Sequence, residues 1–561
     1  MAPSRRAAVG AAVLGAWLLG CAEGDQSPTC EAGGQCEEWA DDMAEVSLLQ
    51  KAEKHTDVLI DTVVDTDSDE RGTYQRCHGV GARGWMSVDG MNYMLGSLMP
   101  EIVARATKVD IPYMRGTKSG FKYLLSHAKI TEFTMDAPYV RFEEGVGVHV
   151  QFTGFRVVAS VHYQGEGDAW YNPMWSAGWI TADLAQKSDV SGIISFDVTD
   201  EGRPKIELDM GSLGFELGKF DVEGTILEGI LELLASIFKS NLEGMFTSSI
   251  KDIVEKSANT YLNDFFASMG LKLPLPLQPP YDIAAADMTF CYIDVRSDYI
   301  AIGLLGAFVE DEQVFTFPAK PRALASLPPA GFADKMLAFR FSNFTLSSAC
   351  YIFQREGLLK TTIQPGYLAK DSGISLEMKT AQSFFRNSAL PRDMPENANF
   401  VVDISSENPP VVLFDNGKIN IEDHIRVDFR WEEGQERTGV FLSFTAPVNA
   451  SAVMTITEDE EEVVDMQLDQ ISCTPITIID VNKDVVNIDA ISEFIQVLVK
   501  TTLLPYLNGF MSAGVPLSES HGLRLTASEM TLSKGIMDVT SDFTINLDAF
   551  NSFIDGLVAQ Y

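Results

Sequence analysis

The sequence predicts an α+β fold of two tandem units, each an antiparallel sheet with one buried face packed on long helices. Three observations predict it. The 561 residues exceed what a single hydrophobic core organises. Apolar and polar residues alternate through many short runs, the period of a strand that buries one side. A helical pattern, a series of strands and a long apolar helix then occur in that order in each half.

The chain opens with a secretory signal. Arg5 and Arg6 precede an apolar run from Ala7 to Gly20, and Gly20-Cys21-Ala22 supplies small residues for cleavage, so residues 1–22 read as a signal peptide. Leu18-Leu19-Gly20-Cys21 also fits a bacterial lipoprotein cleavage box. Residues 23–76 read as a disordered acidic leader, with Asp61, Asp65, Asp67, Asp69 and Glu70 crowded together and one helix expected near Met43–Lys54.

From Ser87 the pattern is helical: Met91, Met94, Leu95, Leu98, Met99, Ile102 and Val103 recur at spacings of three and four, and Pro100 should kink the helix. Val146, Val148, Val150 and Phe152 then alternate with polar residues, Gly154 suggests a bulge, and Phe155, Val157, Ala159 and Val161 continue the alternation. Ile194, Phe196, Val198 and Ile206, Leu208, Met210 give further strands. A long helix is expected over about Glu223–Phe265. Pro274, Pro276, Pro279 and Pro280 mark a stiff connector, followed by a strand-like stretch at Met288–Phe308 and a second proline run from Pro318 to Pro329.

The second half repeats the plan in different letters. A helix is expected at Ser372–Ala389. Strands follow at Ile419 and Ile421, at Ile425, Val427, Phe429 and Trp431, and at Val464, Met466 and Leu468. An amphipathic helix covers Asp489–Met511.

The formal charge of −37 disfavours nucleic acid and any strong electrostatic hold on anionic membranes outside a local patch. With Cys21 lost to the signal, six cysteines remain, at 30, 36, 77, 291, 350 and 473. That even number suits an oxidising compartment. Fifteen pairings are open, with Cys30 and Cys36 close enough to pair locally. Asn343-Phe344-Thr345 and Asn449-Ala450-Ser451 are glycosylation sequons, so Asn343 and Asn449 are candidate acceptors in a secreted, extracellular protein.

Three stretches resemble the family of bactericidal/permeability-increasing protein, lipopolysaccharide-binding protein and the plasma lipid-transfer proteins. Ser87-Val88-Asp89-Gly90-Met91-Asn92-Tyr93 with Ile111-Pro112 is similar to the first helix of its N-terminal barrel. Asp334-Lys335-Met336-Leu337 through Phe341-Ser342-Asn343 to Gly357-Leu358-Leu359 is similar to the opening of its C-terminal barrel. Leu504-Pro505-Tyr506-Leu507-Asn508 with Gly514-Val515-Pro516-Leu517 is similar to its last helix. The resemblance covers about Val80–Tyr561. It implies a boomerang of two barrels joined by a central sheet, each barrel a sleeve around an apolar lipid tunnel. On that reading residues 77–273 are the N-terminal lipid-binding barrel, 274–333 the proline-rich connector and central sheet, and 334–561 the C-terminal lipid-binding barrel. The family's disulfide between an N-barrel strand and the long helix would fall at Met210 and Ser248 or Ser249, so that bridge is missing here.

The resemblance implies that the chain binds phospholipid or another acyl lipid, with no cofactor, and touches a membrane or lipoprotein surface transiently during transfer. The apolar stripes then nominate lining residues: Met91, Met94, Leu95, Leu98, Ile102, Ile230, Leu234, Ile237 and Phe238 in the first unit, and Phe494, Leu498, Leu504 and Leu507 in the second. Each of these would serve equally as ordinary core. Ile111–Thr131 holds no carboxylate but carries Arg115, Lys118, Lys122 and Lys129, a candidate head-group contact for lipopolysaccharide or acidic phospholipid. A structural or adhesive secreted protein without cargo is the third reading. An enzyme is not expected: there is no Gly-x-Ser-x-Gly elbow, phosphate loop, zinc-helix His-Glu pair or dinucleotide fingerprint, and the seven histidines are scattered.

Overall fold

The structure, a computed structural model, describes most of residues 77–548. It leaves out 1–76, 549–561 and several internal stretches; within 225–270 only residues 251, 255, 259 and 263 are described. The expected signal peptide, the acidic leader, Cys30 and Cys36 lie outside these residues.

Strands dominate. A central antiparallel sheet has the order Phe290–Val295, Tyr299–Leu304, Ala82–Ser87, Leu337–Ser342, Ile536–Ile545, Leu523–Ser533. The first described strand is thus held between two strands from the middle of the chain, and the last hairpin completes the sheet. Trp85 is almost fully buried there, and the Arg340 guanidinium lies 5.4 Å from its ring. Arg340 donates to both carboxylate oxygens of Asp538, at 2.6 and 3.0 Å, and to the carbonyl of Leu327 at 3.1 Å. The Cys77–Cys291 disulfide ties the start of this strand to the sheet's outer hairpin.

The first helix, Val88–Ala106, starts where Ser87 Oγ accepts a hydrogen bond from Gly90 N at 3.1 Å. It continues across Pro100. The strands that follow form two sheets rather than one. Phe215–Gly224, Met174–Gln186, Arg156–Gly167, Phe121–Thr134 and Met114–Lys118 make a five-stranded sheet; Tyr139–Glu143, Gly147–Phe152, Val190–Val198 and Pro204–Met210 make a four-stranded one. Gly154 is therefore a corner and not a bulge: with φ of 67° it turns the chain from one sheet into the other, and a Cβ there would collide with the Asp136 carboxylate. Leu125, Val157, Val161 and Ile180 of the larger sheet pack with Leu208 and Met210 of the smaller in one core.

Glu223 and Gly224 end a strand, so the second helix begins later than expected. Its described residues recur every four positions and clamp the free edge of Pro204–Met210. Asn263 accepts from Ile206 N at 2.8 Å and donates to Ile206 O at 2.7 Å. Asn259 does the same at Leu208, and Glu255 accepts from Met210 N at 2.7 Å. The match is geometric: four helical residues advance about 6 Å and two strand residues about 6.7 Å, so a helix laid along an edge can satisfy alternate residues.

The second unit is an eight-stranded sheet ordered Lys360–Ile363, Asn399–Ser406, Lys418–Glu433, Arg437–Glu458, Glu462–Ser472, Val515–Pro516, with Val411–Asp415 and Thr477–Ile478 as branches. The helix Asn343–Arg355 and the helix Ile488–Leu498 pack on it. The expected helix at Ser372–Ala389 is reduced, among the described residues, to Met378–Ala381 and one 3₁₀ turn, Gln382–Phe384. Phe384 and Phe385 are both buried, which an amphipathic helix does not readily give to neighbours, and Phe385 instead bridges to Val486. The last helix loosens into a π turn at Val499–Leu503, ahead of Pro505, whose missing N–H cannot serve the turn before it. Beyond it Asn508 clamps Leu468 as Asn259 clamps Leu208: it accepts from Leu468 N at 2.8 Å and donates to Leu468 O at 2.9 Å.

Candidate functional site

In the first unit Met91 is buried among Val140, Phe142, Val148, Val150, Val295 and Ile300, and Met94 and Leu95 pack half-buried against the same cluster. About two helical turns further on, Val103 packs instead against the core between the two sheets. The stripe on Val88–Ala106 therefore spans two apolar clusters. Leu98 and Ile102 lie on this helix, but their side chains, like all of Ile230, Leu234, Ile237 and Phe238, lie outside the described residues.

In the second unit a group of phenylalanines fills one end of the curled sheet. The rings of Phe384 and Phe429 stack at 5.2 Å, Phe494 meets Phe384 edge-on at 5.1 Å, and Phe400 meets Phe429 edge-on at 5.7 Å. Phe441 and Phe444 close the group against Phe429. Phe494 is only half-buried, while Leu498 beside it is fully packed. Leu504 belongs to the other end, against Val412, Phe414, Ile421 and Met466. Leu507 lies outside the described residues. Sequence periodicity picked out Phe494 but missed the rings from the sheet, because the alternating strand pattern says which side is buried and not where along the barrel its aromatics collect.

The basic candidates Arg115, Lys122 and Lys129 are exposed on the solvent face of the five-stranded sheet; the Lys118 side chain is not among those described. Lys122 stands opposite Glu166 in register, and at the other end of that strand Arg156 holds Asp183 and Glu132 in ion pairs at 3.0 and 3.2 Å. The Arg156 hydrogen bond holds the Asp183 carboxyl below its ordinary range. On the same face the rings of His127 and His162 lie 6.0 Å apart, and His162 meets Trp179 at 5.1 Å. Trp179 is 43% exposed, an aromatic ring on this face open to a partner. Nothing in the sequence placed His127, His162 and Trp179 together, since three separate strands supply them.

The candidate glycosylation sites differ. Asn449 is exposed on Arg437–Glu458. Asn343 opens the helix Asn343–Arg355, and Thr345 of its sequon is buried, donating its hydroxyl to Gly81 O at 3.2 Å. Among the described residues no group of three or more metal-ligating side chains is found, and no helix is long and apolar enough to cross a membrane.

Comparison with known proteins agrees with the resemblance read from the sequence. Residues 299–545 match the model of the LBP / BPI / CETP family, C-terminal domain. Human lipopolysaccharide-binding protein is 23% identical over 259 residues, 45% of this chain and 50% of that relative, so the chain spans half the length of the curated protein it matches. Among solved structures, that of lipopolysaccharide binding protein aligns with 83% of this chain and 99% of its own at 13% identity and a TM-score of 0.49. P47 of Clostridium botulinum E1 aligns over 83% of this chain and 100% of its own at 9% identity and a TM-score of 0.25. Residues 299–545 are thus similar to the C-terminal domain of the LBP / BPI / CETP family.

Proposed function

We propose that this protein is a secreted, non-enzymatic lipid-binding protein that holds acyl chains of phospholipid or a similar lipid against the apolar interiors of its two units, in the service of lipid transfer. The match of residues 299–545 to a family whose members include a lipopolysaccharide-binding protein carries the reading. The half-buried stripe of Met94, Leu95 and Phe494 on helices facing one-sided sheets supports it, as does the Cys77–Cys291 disulfide, which belongs to an oxidising compartment.

The energetics suit a carrier. Burying an acyl chain is worth roughly 0.8 kcal/mol per CH₂, so a sixteen-carbon chain gains on the order of 13 kcal/mol over water. Against a bilayer the gain is near zero, because the chain is surrounded by hydrocarbon in both places. Pick-up and release then need no energy source, and the protein's work is to shield the chain in transit. Protein purified from its natural host should carry lipid visible in native mass spectrometry and speed lipid movement between vesicles; failure of both would overturn the reading.

A second reading, recognition of lipopolysaccharide or another anionic lipid, is favoured by one observation: Arg115, Lys122 and Lys129 share an exposed face with Trp179 in an otherwise acidic chain. Neutralising Arg115, Lys118, Lys122 and Lys129 together should weaken binding to anionic vesicles at low salt and leave neutral vesicles unaffected. Equal binding before and after would exclude this reading.

A further inference from the structure

The strand Lys418–Glu433 changes partners in its middle. Up to Glu422 it pairs with Val411–Asp415, and from Ile425 onward with Asn399–Ser406. Asp423 falls in the break, His424 beside it being held by Glu407, whose N–H donates to the His424 carbonyl at 2.8 Å, while the strand's other edge stays paired, Asp423 opposite Val448.

Strand alternation puts Ile419, Ile421, Asp423, Ile425, Val427 and Phe429 on one face, the inner one. Ile419 and Ile421 belong to one apolar core of the C-terminal unit, and Ile425, Val427 and Phe429 to the other. A single carboxylate thus interrupts an apolar stripe at the boundary between two cores. Its Oδ1 accepts from Ser406 Oγ and from His424 N, both at 2.6 Å. The titratable groups acting on it are Glu407 and His424, themselves paired at 2.6 Å, and the buried thiols of Cys350 on the helix Asn343–Arg355 and Cys473 after Glu462–Ser472. Burial pushes both thiols up, Cys473 to about 11, so neither supplies a charge at neutral pH.

We propose that Asp423 is a proton-operated latch between the two halves of the C-terminal unit: neutral, it lets the inner stripe close; charged, it draws in water and loosens the strand where its partner changes. A carboxylate in an apolar wall is costly unless solvated, and the break in pairing is where the sheet can admit water at least expense to its ladder. Burial is the main force on this carboxyl and pushes it up to about 6, which places the transition within a range a secreted protein meets on acidification.

The test is hydrogen exchange of the full-length protein, followed by mass spectrometry on peptides spanning 418–433 at pH 5.5 and 7.5 and corrected for intrinsic exchange rates. Opening of this segment should be about fourfold more frequent at pH 7.5, while peptides of the central sheet serve as an unchanged reference. Asp423→Asn should be protected at both pH values, and His424→Gln should keep the wild-type dependence. Equal protection of wild type at the two pH values would overturn the proposal, as would a pH dependence that survives Asp423→Asn or disappears in His424→Gln.

Discussion

The side-chain amide of Asn259 brackets the main chain of Leu208, accepting from its N–H at 2.6 Å and donating to its carbonyl at 3.2 Å. An amide side chain here does what another strand would do, on an edge that would otherwise be open to a foreign strand. Asn263 and Asn508 repeat the arrangement at Ile206 and Leu468. Replacing Asn259 or Asn263 with Ala should therefore leave a strand N–H and carbonyl without their partner and cost about 1–3 kcal/mol each, read as a lower midpoint in urea. Asn259→Asp, which keeps the acceptor and loses the donor, should fall between. Wild-type stability in the Ala variants would show that water replaces the clamp without loss.

Arg340 should resist conservative replacement. Its guanidinium meets Asp538 through two nitrogens while lying over Trp85, with Arg340 buried and Asp538 largely so. Lys cannot reproduce the fork, so Arg340→Lys is expected to destabilise, and Arg340→Met, which strands the Asp538 charge, by about 3–5 kcal/mol. Arg340→Met combined with Asp538→Asn should recover much of that loss in thermal denaturation.

Phe429 touches five other phenylalanine rings. Phe429→Ala should cost about 3–5 kcal/mol. Phe494→Ala should cost less, because that ring is only partly buried. Equal losses in urea denaturation would place both rings in one closed core.

Asp423 sets a pH dependence whose sign is fixed by its environment. The native carboxyl titrates at about 6, above the ordinary value near 4, so the native state holds the proton more tightly than the unfolded chain. The stability this brings is full below about pH 4 and is lost as pH rises through 6. Asp423→Asn should accordingly be more stable than wild type at pH 7.5, by up to roughly 3 kcal/mol, and close to it at pH 4. Urea unfolding of both proteins at pH 4, 5, 6 and 7.5 would show the two curves converging on the acid side; parallel curves would contradict it.

The cysteines should separate cleanly by reactivity. Cys350 and Cys473 are buried with raised thiol pKa values, so neither should be alkylated in the native protein at pH 8, and both should react on unfolding. Peptide mapping should find Cys77 joined to Cys291. Breaking that bond opens a loop of more than two hundred residues, for which chain entropy alone gives an upper figure of roughly 5 kcal/mol.

What the sequence made legible follows from which faces are wet. The helix from Ser87, and strands such as Ile206-Leu208-Met210 with exposed residues between them, were readable because one side is buried and the other is not. Ala82–Ser87 escaped notice for the opposite reason: Ala82, Arg83, Gly84 and Trp85 are all buried, so no alternation survives to mark a strand. Asp423 misled in an instructive way. It split one sixteen-residue strand into two in the reading of Ile419–Ile421 and Ile425–Trp431, and that apparent flaw is the feature of interest. The edge clamps had a signal that went unread: Tyr261-Leu262-Asn263 recurs as Tyr506-Leu507-Asn508, the same three letters ahead of the same function in each half. The aromatic cluster and the His127–His162–Trp179 group had none, because the contacts join strands distant in sequence.

The order of the central sheet has a consequence for biosynthesis. Ala82–Ser87 emerges early from the ribosome, yet its neighbours are Tyr299–Leu304 and Leu337–Ser342, and the sheet is finished only by Ile536–Ile545. A nascent chain must carry Trp85 uncovered through most of translation, and a stop codon anywhere before the final hairpin leaves both halves with a torn seam. Intolerance of C-terminal truncation follows from the strand order itself.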